Sequence, residues 1–184
     1  MDKVLQAVRD FADKAHGSQT RKYSPERYIV HPVRVMETCR EYTADTAILA
    51  AALLHDVVED TPVTAQQVLQ FLESVMDKDT ASRTLSYVTE LTDVFTKAAY
   101  PRLNRRMRKA RELERLVSTS PESQTIKYAD IIDNAKDVVE HDPDFAKVFL
   151  MEYRAVLKRL DKGIDDLRVR AVSLVEEGLE NGDL

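Results

Sequence analysis

A single cysteine, Cys39, stands among the 184 residues, which excludes an internal disulfide and suits a reducing compartment. Only 4 glycines and no tryptophan are present, and the turn-rich signature of an all-β chain is missing. No apolar run approaches the ~18–20 residues that a membrane span needs. The first residues, Met1-Asp2-Lys3-Val4-Leu5, show no basic region followed by an apolar core, so no secretory signal is read. The expected location is cytoplasmic. An excess of positive charge is lacking too. The net charge of −5 argues against nucleic acid as a partner. It leaves room for an anionic small substrate, because a metal and a few local cations set the field inside a pocket.

What is present is a chain 43% apolar and 32% charged, long enough to bury a real core, with no repeat, low-complexity stretch or linker. A single domain over 1–184 is expected, and it is expected to be all-α, a compact array of about nine or ten helices. The apolar spacing predicts helices over 2–16, from about 28–32 to 42, and through 47–60, the last stopped by Asp60-Thr61-Pro62. Thr64-Ala65-Gln66-Gln67 reads as a capping box for a helix over 64–76. Further helices are expected over 80–92, 102–117, from Pro121 to Asp142, 143–161 and 164–179, with 17–25 as a loop.

The stretch Leu53-Leu54-His55-Asp56-Val57-Val58-Glu59-Asp60 closes a run apolar on every side, and such a run reads as a helix buried all round. An imidazole and three carboxylates at its end are costly to bury unless something compensates them. On a regular helix His55/Glu59 and Asp56/Asp60 are i, i+4 pairs within one arc. A cation is the simplest compensation. Two other polar residues interrupt apolar helical patterns, His31 in Tyr28-Ile29-Val30-His31-Pro32 and Asp130 in Ile126-Lys127-Tyr128-Ala129-Asp130. Alone, each has an ordinary explanation, a core or capping histidine and a salt-bridged aspartate. Together with His55 and Asp56 they would form an open nitrogen/oxygen site suited to manganese, iron or zinc.

The order His31, His55-Asp56, Asp130 resembles the metal pattern of HD-superfamily phosphohydrolases. The flanks Ala15-His16-Gly17-Ser18-Gln19-Thr20-Arg21-Lys22, Ala52 to Thr61 and Lys127 to Asn134 are similar to the hydrolase domain of RelA/SpoT-type alarmone enzymes, above all the small stand-alone hydrolases. The resemblance covers residues 5–163 and implies a hydrolase-only protein. It implies four manganese ligands at His31, His55, Asp56 and Asp130, and catalytic carboxylates at Glu59 and Asp60. It places Arg21 and Lys22 near the base and phosphates, and Asn134 and Tyr153 along the nucleotide site. The implied reaction is removal of the 3′-pyrophosphate of guanosine tetra- or pentaphosphate. The chain departs from the family at Ser24-Pro25-Glu26-Arg27 and at Val68 to Glu73.

Two rivals stand beside that reading: another HD phosphohydrolase, acting on an adenosine alarmone, NADPH or an ordinary nucleotide, and a non-catalytic nucleotide-binding module. The basic run Arg102, Arg105, Arg106, Arg108, Lys109, Arg111 and Arg115 spreads over more than one helical face and is offset by Glu112 and Glu114. It reads as a solvated or subunit-facing surface, which leaves a homo-oligomer open. His16 is expected to brace the loop that carries Arg21 and Lys22, while His141 and Cys39 are given no role.

Overall fold

The computed structural model describes residues 2–22 and 24–181, and for Asn181 the backbone alone. Ten helices account for almost all of its regular structure: α1 (Lys3–His16), α2 (Val30–Arg40), α3 (Thr46–Leu54), α4 (Val57–Asp60), α5 (Ala65–Val75), α6 (Lys78–Leu91), α7 (Arg105–Val117), α8 (Pro121–His141), α9 (Pro143–Leu157) and α10 (Asp165–Asn181). Among the described residues no strand forms; Thr20 and Arg27 make one isolated bridge across the loop between α1 and α2. No described helix is long and apolar enough to cross a membrane.

The axle of the fold is α3. Every residue from Ala47 to Leu54 is buried, and α1, α2, α6 and α8 all pack against this helix. Its four alanines keep its girth small, so four neighbours can approach one short rod without leaving voids. α10 lies against α8 and α9, and α5 against α6.

Local chemistry sets the ends. Thr64 and Gln67 form the expected capping box at the start of α5. Ser120 accepts from the Ser123 amide with Pro121 at the first turn of α8, and Asp142 closes α8 while capping α9. Gly163 lies so close to α8 that a β-carbon there would stand 2.6 Å from Tyr128 Cε2 and 2.8 Å from the Thr125 nitrogen.

One boundary differs in a way that matters. The expected helix through 47–60 is two helices, α3 and α4, separated by a turn at His55 and Asp56. Successive side chains on an unbroken helix diverge by ~100°. Here His55 Nε2 and Asp56 Oδ2 lie 3.1 Å apart. The break lets two neighbouring residues aim at one point.

Candidate metal centre and active site

Three elements packed on one another deliver the predicted donor set: α2 carries His31, the α3–α4 turn carries His55 and Asp56, and α8 carries Asp130. The nitrogen and oxygen donors of His31, His55 and Asp56 all fall within 4.8 Å of one another. His31 Nε2 is 3.5 Å from Asp56 Oδ2 and 3.3 Å from Asp130 Oδ1, and His55 Nε2 is 3.7 Å from Asp130 Oδ1. Donors held ~2.0–2.2 Å from a shared cation stand ~3 Å or more apart, so this spacing leaves room for one cation among them.

The imidazoles are oriented from behind. His31 Nδ1 lies 2.7 Å from Asp133 Oδ2, and His55 Nδ1 lies 2.8 Å from the Ala52 carbonyl oxygen. Both partners only accept, so each Nδ1 carries a proton and each neutral ring turns its Nε2 lone pair toward Asp56 and Asp130. His55 Nε2 is buried and has no hydrogen-bond partner. A buried, aimed and unpartnered nitrogen beside two carboxylates fits a cation. In the cation's absence burial opposes charge on both rings, but the surrounding aspartates outweigh it and raise both imidazoles. Asp56 and Asp130 move the other way: the histidines, and Lys127 beside Asp130, overcome burial and hold both carboxyls well below the usual range.

Around the quartet lies a cavity of ≈ 140 Å³ lined by Tyr28, Glu59, Asp93, Lys127, Asn134 and Tyr153, among others. Asn134 donates to Asp130 Oδ1 at 2.6 Å, and Lys127 Nζ to Asp130 Oδ2 at 2.7 Å. The Tyr28 phenol donates to Asp56 Oδ2 at 2.6 Å, and its hydroxyl oxygen lies 3.2 Å from Asp60 Oδ2. Burial, then the charge of Asp56, pushes the Tyr28 phenol up, so it stays a donor at any ordinary pH. Asp60 is pushed up by burial and by Asp56. Glu59 is exposed over much of its surface but lines the cavity; partial desolvation there, then the charge of Asp93, pushes its carboxyl up to about 7. The Asp93 amide donates to Glu59 Oε2 at 2.8 Å.

Arg21 is placed differently from a free phosphate-binding cation. It is 8% exposed, and its guanidinium donates to Asn134 Oδ1 at 3.0 Å and Asp137 Oδ2 at 2.8 Å, tying the α1–α2 loop to α8. Lys22 is exposed, with its ammonium 5.3 Å from the centre of the Phe145 ring. His16 braces this loop, meeting Gln19 Oε1 at 2.9 Å and stacking on Tyr28 at 4.4 Å. Tyr153 lines the cavity, where burial and Asp130 raise its phenol. The sequence alone gives no role to Asp93, Lys127 or Asp133. Lys127 and Asp133 were findable, since each stands three residues from Asp130 on one helix. Asp93 had no local signal.

Several cations of the basic helix are paired within the chain. Arg105 forms a two-pronged pair with Glu152 at 2.7 and 2.9 Å, Lys109 approaches Asp93 at 3.5 Å, and Arg115 pairs with Glu112.

These features define a helical candidate site whose donors suit a divalent cation, and the chain belongs to the HD domain family, whose model matches residues 8–160. Among its relatives is the guanosine-3′,5′-bis(diphosphate) 3′-pyrophosphohydrolase MESH1 of Homo sapiens, 33% identical over 167 residues that cover 88% of this chain and 84% of that one. A probable guanosine-3′,5′-bis(diphosphate) 3′-pyrophosphohydrolase of Synechocystis is 44% identical over 72 residues, 39% of this chain and 9% of that protein. The chain spans 22% of the corresponding Mycoplasma pneumoniae protein as well, so it matches only a small part of these long relatives. The solved structure of a metazoan orthologue of SpoT superimposes with a TM-score of 0.79 at 23% identity, covering 97% of this chain and 98% of that one, which shows the shared fold.

Proposed function

We propose that this chain is a manganese-dependent hydrolase of guanosine tetra- and pentaphosphate, removing the 3′-pyrophosphate to leave GDP or GTP. Its cation chemistry is carried by one observation: two helices and one interhelical turn bring His31, Asp56 and Asp130 around the buried His55 Nε2, which has no hydrogen-bond partner. Its substrate is supported by relatives of that name along nearly the whole chain. We read 1–184 as one hydrolase domain working in the cytoplasm, with nucleotide polyphosphate as its partner.

His31, His55, Asp56 and Asp130 would hold the cation. When bound there, a divalent cation lowers the pKa of water and offsets phosphoryl charge. The remaining work belongs to the chain. Glu59 takes the proton of the attacking water, with Asp60 beside it holding that water through its own carboxylate. Tyr28 fixes Asp56 and Asp60 relative to each other through its hydroxyl. Burial opposes the charge on Lys127, but Asp130 beside it outweighs burial, so a protonated ammonium faces the cavity and offsets charge as the ribose 3′-oxygen leaves. Asn134 holds Asp130, and Arg21 holds Asn134. Tyr153, which lines the cavity, and Lys22, on the loop that Arg21 ties to α8, would contact the nucleotide.

The test is pyrophosphate release from guanosine tetraphosphate by the manganese-loaded protein, beside NADPH and adenosine alarmones. Rapid turnover of the guanosine compound supports the reading; preference for NADPH or an adenosine compound would replace the substrate while keeping the cation site. Glu59→Gln should retain manganese and lose most turnover, ~10²-fold or more.

A further inference from the structure

Glu59 sits on a four-residue helix with three rotatable side-chain bonds, and the hydrogen bond that selects one orientation comes from the Asp93 amide at 2.8 Å. Asp93 belongs to the segment between α6 and α7, residues 92–104, which contains no helix of its own. The next two amides in that segment point elsewhere. Val94 and Phe95 both donate to Glu112 Oε2, at 3.1 and 3.0 Å.

Glu112 is 3% exposed, on the inner side of an otherwise strongly basic helix. A buried carboxylate is costly unless fully hydrogen-bonded. Here two amides take one oxygen, and Arg115 pairs with the other while donating to the Glu90 carbonyl at the end of α6. Lys109 meets Asp93 at 3.5 Å, and the Arg111 guanidinium lies 5.8 Å from the centre of the Phe95 ring. An apolar residue at 112 would fill the space but accept from neither amide, and residues 93–95 would be free to turn. Three successive amides are therefore shared between two glutamates, one at the cavity and one in the core.

We infer that Glu112 is a positioning residue for Glu59, acting through the 93–95 peptide segment whose first amide orients the Glu59 carboxylate. This rests on the proposed role of Glu59. The arginine-rich helix thereby acquires a purpose, because α7 is the anchor from which the cavity-side segment is held.

The test compares wild type with E112A/R115M, which removes the buried pair together so that no guanidinium is stranded, each with and without Glu59→Gln. With Glu59 present, the paired replacement should lower kcat about tenfold with KM changed less than ~twofold. With Gln at 59 the same replacement should cost less than ~twofold, since nothing remains to be positioned. Independently of turnover, amide hydrogen exchange in the metal-free protein should speed up ~tenfold at Asp93 as well as at Val94 and Phe95. Should E112A/R115M fail to fold, E112M/R115M, which fills the space at 112 but accepts from neither amide, is read by the same cycle and the same amides. Equal losses in both backgrounds, unchanged turnover, or an Asp93 amide still protected would overturn the inference while leaving Glu59 as the base. Full turnover in the Glu59→Gln protein would remove both readings together.

Discussion

Asp133 Oδ2 lies 2.7 Å from His31 Nδ1, across 102 residues of chain. The carboxylate fixes which ring nitrogen carries the proton and turns the other toward the cavity. Second partners of this kind typically contribute 10–100-fold in metal affinity. Asp133→Ala should weaken manganese binding by about that factor, read as free manganese by electron paramagnetic resonance, and Asp133→Asn should lose less because its amide oxygen still accepts. Wild-type affinity in Asp133→Ala would show that the contact orients nothing.

Cation binding should be visible as stability. A ligand that binds only the folded state stabilises it by about 2.7 kcal/mol at a hundred times its dissociation constant. For a domain of this size that corresponds to a Tm rise of roughly 5–10 °C. Chelator-treated protein should gain that increment on adding manganese, and the gain should vanish in His55→Ala, which removes the unpartnered Nε2. An equal gain in the variant would place the bound cation elsewhere.

Turnover should carry an acid limb. Glu59 accepts a proton only when ionised, and its carboxyl is pushed up to about 7 by desolvation at the cavity wall and by Asp93. As pH falls through that value the base is lost, so kcat/KM should decline toward a tenfold drop per pH unit. A bound cation pulls the limb downward, so at saturating manganese it should appear between about pH 5 and 7. A profile flat across that range would remove Glu59 from the role of base.

Gly163 offers a test of packing distant in purpose from the chemistry. Its β-carbon would stand 2.6 Å from Tyr128 and 2.8 Å from the Thr125 backbone nitrogen, with backbone on one side and a buried ring on the other. Gly163→Ala should destabilise the fold by about 1–3 kcal/mol, the cost of overpacking, measured by urea denaturation. Turnover per folded molecule should be retained. An unchanged midpoint would mean that α8 and the 158–164 turn yield more readily than their contacts indicate.

Much of the helical frame was legible because its signals are local. The all-apolar run of α3 announced burial on every side, a capping box marked the start of α5, and capping residues with proline marked those of α8 and α9. His31, His55, Asp56 and Asp130 stood out as polar residues in apolar patterns, and resemblance to the HD phosphohydrolases ordered them. The turn that separates α3 from α4 was not legible, because Asp56 and its neighbours are all compatible with a continuing helix. Arg21 is expected near the base and phosphates; its ties to Asn134 and Asp137 had no local signal, because they depend on where the α1–α2 loop lands on α8.

The sequence by itself determined the helices, the buried axle and the identity of the polar residues set into apolar faces, since periodicity and capping act within a turn or two. The tertiary structure alone decided which of those residues meet. His31 faces Asp133, Asp93 joins Glu59 to the Glu112 segment, and the basic helix turns its charges onto Glu152, Asp93 and Glu112. Such pairings follow from how helices far apart in the chain cross and rotate against α3. That is settled by the packing of the whole core, and no local spacing encodes it.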